Sequence, residues 1–153
     1  MYSKNESAQL KEEFWTTFGK YMTPILSADG TRVNWVNYKT GEKHIYFKMQ
    51  ADASRAVISV EIAHTDIKLQ QLYFEQFKLV ENVLSASLEE EWTWALHDVD
   101  EYGKVISRIY KELSPISILN KNDWPQLISF FKPRIIALDN FWSSARYGFE
   151  ALY

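Results

Sequence analysis

The run from Val33 to His64 constrains this chain more than any other stretch. Apolar and polar residues alternate through most of it, and side chains two apart on an extended chain share a face. In the clearest part, Ile45, Phe47 and Met49 fall on one side and His44, Tyr46, Lys48 and Gln50 on the other. Ile58, Val60 and Ile62 then form one face, with Ser59, Glu61 and Ala63 opposite. Two turn signals divide the run: Lys39-Thr40-Gly41-Glu42, where glycine suits a tight turn, and Asp52-Ala53-Ser54. The pattern predicts three consecutive strands over 33–38, 44–51 and 55–63.

Helical periodicity flanks these strands. Ser3-Lys4-Asn5-Glu6 has the form of a capping box, and Leu10, Phe14, Phe18 and Tyr21 follow at helical spacing to Met22, before Pro24. From Asp66 to Ser87 the stripe Leu69, Leu72, Tyr73, Phe77, Val80 and Leu84 predicts one long helix. Trp92, Trp94 and Leu96 alternate as a fourth strand, and 104–111 reads as a fifth. Asp123-Trp124-Pro125 places an N-cap and a first-turn proline at the start of a last helix that runs through Leu127, Phe131, Ile135, Leu138, Trp142 and Phe149. Pro133 inside it predicts a kink or two abutting helices. Phe149 stays in phase, so the end of this helix is expected to dock, with Leu152 and Tyr153 completing the core or forming a dimer patch.

The expected fold is one α+β domain over residues 1–153, of order α-β-β-β-α-β-β-α. Its sheet is five-stranded and mostly antiparallel, covered by three helices. A right-handed crossover through the long helix leaves the third and fourth strands parallel, which makes the sheet mixed.

A chain of 153 residues with 46% hydrophobic content can bury a real core, and 16% aromatic residues can fill much of it. The absence of cysteine excludes disulfides, thiolate catalysis and Cys-based zinc sites. The polar first residues lack a signal peptide's blocks and no apolar run reaches ~20 residues, so a cytoplasmic location is expected. A net charge of −3 argues against a generic polyanion binder.

The sharpest catalytic candidates are Asp52 and Glu61. Helix, three strands, helix, strand is similar to the core of restriction-endonuclease-like proteins, which place an Asp near the second strand and a Glu-x-Lys on the third. Their carboxylates hold a divalent metal, Mg or Mn, and the lysine serves water activation. Here the lysine position is Ala63, with His64 next to it, and Gln70 or Gln71 is a weak match to a glutamine on the following helix. His44, His64 and His97 are a second candidate set for metal. His44 opens its strand while His64 ends its own, which sets them apart, whereas His64 and His97 share an edge if their strands are parallel. No P-loop, Gly-x-Gly-x-x-Gly or nucleophile elbow is present, so no cofactor is expected. For binding, Tyr46, Lys48 and Gln50 interleave aromatic and basic character, which suits stacked bases and phosphates. Arg134 and Arg146, with Lys132 near Trp142 and Tyr147, form a second candidate patch.

The segments KEEFWTTFGKYM, VISVEIAH followed by YFEQF, EEEWTWALHD, VISRIYKEL and FFKPRIIALDNFW resemble the bacterial domain-of-unknown-function family DUF4268 over nearly the whole chain. In other members the domain follows an endonuclease-like domain. The resemblance therefore implies a loose link to DNA-processing systems, and it brings no catalytic residue with it. The expected function is a non-catalytic binding module associated with nucleic-acid processing. A metal-dependent nuclease, or a degenerate relative of one, is the enzymatic alternative, and a homo-oligomeric structural protein, such as a homodimer, is the third. Nucleic acid or another protein is the expected partner, and none of the surfaces points to a membrane.

Overall fold

The computed structural model describes residues 3–152. Helix α1 (Lys4–Met22) is followed by strands β1 (Ile45–Ala51) and β2 (Ala56–Ile62) and helices α2 (Ile67–Leu79) and α3 (Glu81–Leu88). Strands β3 (Thr93–Val99) and β4 (Val105–Leu113), a short 3-10 turn (Lys121–Asp123) and helix α4 (Trp124–Glu150) complete the chain. The capping expectation at the first helix holds, since the Ser3 hydroxyl accepts from the Glu6 N–H at 3.1 Å.

The sheet has four strands in the order β1-β2-β4-β3, and every neighbouring pair is antiparallel. This corrects the expectation of five strands in a mixed sheet under three helices. The crossover from β2 to β3 does leave those two strands pointing the same way. However, β4 lies between them, so no parallel ladder forms.

The predicted first strand, 33–38, is a loop. The Asn34 side chain accepts from the Asn37 N–H, which closes a local turn in the middle of the alternating run. The Trp35 indole donates to the Ile25 carbonyl, and the Tyr38 hydroxyl donates to Asp139. Its side chains are therefore spent on anchoring a loop. The predicted long helix is two helices, broken at Val80, whose φ of −109° and ψ of 19° lie outside the helical range. In contrast, α4 runs unbroken through Pro133 as one 27-residue helix. Asp123 does not cap it. That carboxylate accepts from the Ser117 N–H instead, and Asn120 caps the short turn before the helix.

The helices pack on one face of the sheet. Ile45, Phe47, Ile58, Val60, Ile62 and Ile109 meet Phe77, Leu138 and Trp142 in one continuous core. The loop before β1 is clamped to α4. Asp139, buried on the helix, accepts from the Ala28 N–H at 2.8 Å and from Tyr38. Burial first, and then Asp139, pushes the Tyr38 phenol above its usual range, so it remains a donor. The Trp142 indole donates to the Thr40 carbonyl at 2.7 Å.

The end of α4 docks as its periodicity predicts. Phe149 is fully buried, 4.4 Å from the Phe77 ring centroid and 5.1 Å from that of Trp142. Leu152 packs partly buried against the same core, and Tyr153 lies outside the described residues. Phe149→Ala should cost about 3–5 kcal/mol, the usual range for emptying a buried Phe site. Thermal unfolding of the variant should show a midpoint lower by roughly 6–20 °C. An unchanged midpoint would mean that the tail does not pack on the core.

Candidate functional site

The face of the sheet away from the helices carries most of the singled-out residues. Its register is set by two ladders. Tyr46, Glu61 and Arg108 form one rung across β1, β2 and β4, and Lys48, Ser59 and Tyr110 form the next. Tyrosines and cations thus alternate on β1 and β4, the two strands that flank β2, with the shorter Ser59 and Glu61 between them. Lys48 sits over the Tyr46 ring at 5.4 Å, and Arg108 over the Tyr110 ring at 4.3 Å. Ser59 is 2% and Glu61 9% exposed although no helix covers them, because their flanking long side chains do.

A cavity of about 520 Å³ opens on this face. Lys48, Gln50, Glu61 and Arg108 line it, and the tip of the β3–β4 hairpin walls it with Asp100, Glu101 and Tyr102. A bulge in β3 between Ala95 and Asp98, with His97 at φ 52°, redirects that hairpin. The cations here are already partnered. Lys48 lies 3.2 Å from Glu61, Arg55 2.7 Å from Glu112 and Arg108 2.9 Å from Asp98. Hydrogen bonds from the Val99 N–H and then from Arg108 hold the Asp98 carboxyl below the usual range.

Asp52 and Glu61 do not converge. Asp52 caps the β1–β2 turn, accepting from the Ser54 and Arg55 N–H groups at 2.8 and 2.9 Å. Burial works upward on its carboxyl, but those hydrogen bonds outweigh it and hold the group low. Glu61 stands near the opposite end of β2, about 16 Å farther along at the usual strand rise from Ala56. Gln70, the glutamine matched to the nuclease pattern, is fully buried and spent on structure. Its amide donates to the His64 and Val105 carbonyls and accepts from the Ser107 hydroxyl. Gln71 is exposed and bonds Glu75.

The structure reverses the expectation for the histidines. An antiparallel hairpin sets the start of one strand beside the end of the next, so His44 and His64 meet with ring centroids 4.9 Å apart. His64 is buried against Tyr73, at 4.2 Å, and neither ring nitrogen has a hydrogen-bond partner among the described residues. The His97 ring lies elsewhere, with Nε2 3.3 Å from the Ile67 carbonyl. Among the described residues no group of three or more His, Asp or Glu is placed to hold a metal ion.

The second candidate patch does not assemble as a free basic surface. Arg134 makes a bidentate pair with Glu90 at 2.8 and 2.9 Å and also donates to the Phe130 carbonyl. Burial works upward on the Glu90 carboxyl, but the hydrogen bonds from Arg134 and Trp92 outweigh it. Arg146 lies over the Tyr147 ring, 3.7 Å from Asp29.

Sequence reasoning did not single out Arg108 and Tyr110 as site residues. Their alternation was visible, but their place beside Glu61 depends on β4 pairing with β2.

The chain matches the family model described as a domain of unknown function (DUF4268) over residues 10–146, and it belongs to that family. No curated protein and no solved structure matches it. No helix of the described residues is long and apolar enough to cross a membrane.

The His64 imidazole is held down to about 4, first by burial and then by the nearby His44. In the unfolded chain it returns to about 6.5. Between these values the unfolded chain takes a proton that the folded one refuses, so stability is full above pH 6.5 and falls as pH drops toward 4. The limit of this loss is about 3 kcal/mol. Glu90, lowered from 4.5, begins to add its own loss near the bottom of this window, and Asp98, lowered from 3.8, adds its loss mainly below it. His64→Phe, which keeps a ring against Tyr73, should lose several degrees less than the parent when melting at pH 7 is compared with pH 4.5. Equal losses in the two proteins would show that His64 does not carry the effect.

Proposed function

We propose that this domain is a non-catalytic binding module associated with nucleic-acid processing, and that the open face of its sheet is the contact surface. The observation that carries this reading is the alternation of Tyr46 and Tyr110 with Lys48 and Arg108 beside a cavity, on a face that no helix covers. A tyrosine ring on a sheet surface offers a platform for a base, and Tyr46 is 45% exposed. Catalysis finds no comparable support, since the carboxylates a nuclease would need stand at opposite ends of β2 and Lys48 already neutralises Glu61.

The ion pairs shape the expected behaviour. Lys48, Arg55 and Arg108 must give up carboxylates to meet phosphates. Binding to single strands should therefore be modest and lean on stacking, with a shallow dependence on salt.

Fluorescence anisotropy with a labelled oligothymidine should show saturable binding. Tyr46→Ala should weaken it by about 1–3 kcal/mol, a factor of roughly 5–150. Plasmid and single-stranded DNA incubated with Mg²⁺ or Mn²⁺ should remain intact. Cleavage that Glu61→Gln abolishes would overturn the non-catalytic reading, and binding indifferent to Tyr46→Ala would remove the sheet face from it.

A further inference from the structure

Glu61 is short of hydrogen-bond donors for so buried a carboxylate. The residue is 9% exposed and lines the cavity on the uncovered face. A carboxylate has about four acceptor sites, and buried polar groups normally have partners for them. Among the described residues its only polar partner is the Lys48 ammonium, 3.2 Å from Oε1. Arg108, the cation on the same rung, pairs with Asp98 at 2.9 Å instead.

The rest of the cavity does not share this shortage. Its lining balances three acids, Glu61, Asp100 and Glu101, against three cations, Lys48, Arg55 and Arg108, so net charge selects no ligand here. Asp100 is committed to its own turn, where Oδ1 accepts from the Tyr102 and Lys104 N–H groups at 2.9 Å. Glu101 is exposed to water. Of the three acids, Glu61 is the one that combines burial with unfilled acceptor sites. The backbone beside it is closed. The His44 carbonyl accepts from the Ala63 N–H, which makes Tyr46–Glu61, Lys48–Ser59 and Gln50–Val57 the hydrogen-bonded pairs of the hairpin. The backbone groups of Met49 and Ala51 point the other way, so this face offers a ligand side chains alone.

We infer that this cavity takes a guanine base of a single strand, with the Glu61 carboxylate accepting from the base N1–H and N2–H and the Lys48 ammonium donating to O6. The inference rests on the reading of the open sheet face as a nucleic-acid contact surface, and it names the base which that surface selects. Bases of single strands expose their Watson–Crick edges to side chains of this kind. Guanine is the common base whose edge sets two adjacent N–H donors beside an acceptor. Two donors match the two oxygens of a carboxylate, and O6 matches the ammonium. Thymine presents one N–H between two carbonyls. Adenine and cytosine present one amino group beside a ring-nitrogen acceptor, which sets a lone pair against the second carboxylate oxygen. Tyr46, opposite Glu61 in register, and Tyr102 on the cavity wall are 45% and 86% exposed, and they offer rings for the base and its neighbours. The Lys48–Glu61 pair stays intact in this complex, so the contact adds little dependence on salt.

The test compares labelled oligothymidine with the same strand carrying one central guanine, by fluorescence anisotropy on the whole protein. The guanine strand should bind roughly tenfold or more tightly, as expected for hydrogen bonds to a charged group. Inosine, which lacks the N2 amine, or N1-methylguanine at that position should lose most of the gain, whereas 7-deazaguanine should keep it. In Glu61→Gln, where an amide group replaces one acceptor oxygen by a donor, the ratio of the two affinities should fall to about one. Should that variant fold poorly, the inosine and N1-methylguanine strands test the same contacts on the native protein. Equal affinities for the two parent strands would overturn the guanine assignment and leave the sheet-face reading to its Tyr46→Ala test, whereas no binding of either strand would overturn both. A guanine preference that survives Glu61→Gln, or that inosine and N1-methylguanine keep, would remove Glu61 from the contact. Guanosine monophosphate competing as tightly as the guanine strand binds would assign the cavity to a free nucleotide and overturn the single-strand inference.

Discussion

One buried amide ties the end of the sheet together. Gln70 of α2 has no exposure, and its side chain reaches the His64 carbonyl just beyond the end of β2 and the Val105 carbonyl at the start of β4. It also accepts from the Ser107 hydroxyl, whose oxygen in turn accepts from the His97 N–H in the bulge of β3. Three strands and a helix therefore share one network, and every polar atom of the amide is satisfied in part or whole. An unpaired buried donor or acceptor costs about 1–3 kcal/mol, so this arrangement strongly disfavours any strand order that separates β2 from β4.

The rest of the architecture follows from that order. With β4 inside, β1 and β3 become the two edges. The helices gather on the face carrying Ile58, Val60 and Ile62, and α4 clamps the preceding loop through Asp139 and Trp142. The other face stays uncovered by helices and shields Ser59 and Glu61 with its own side chains. Two surface features of this domain are thus by-products of the sheet topology. One is an exposed face of alternating rings and cations, and the other is an unpaired edge beside α1.

Much of the scaffold was legible from periodicity. Faces of β1 and β2, the start of α1, and the docking of Phe149 all follow from spacing alone, because each depends on residues close in sequence. Two features were not. The 33–38 run alternates like a strand, yet Asn34 turns it and Asp139, a hundred residues away, holds Tyr38. The neighbour of β2 depends on Gln70, whose role needs partners from three elements. For the same reason His44 and His64 read as distant, and Arg108 did not read as a neighbour of Glu61. Of the candidate site residues, Tyr46, Lys48 and Gln50 share one face as their spacing implied. Arg134 proved committed to Glu90, a pairing that spans 44 positions and leaves no local signal.

The central claim is the strand order, with β1 at an edge and 33–38 outside the sheet. Amide hydrogen exchange along β1 tests it directly. Lys48 and Gln50, bonded to β2, should exchange slowly, while Met49 and Ala51 between and beside them should exchange fast, close to the rates of exposed loops. Uniform protection from Lys48 through Ala51, accompanied by protection of alternate amides in 33–38, would mean that a fifth strand covers this edge and would contradict the account.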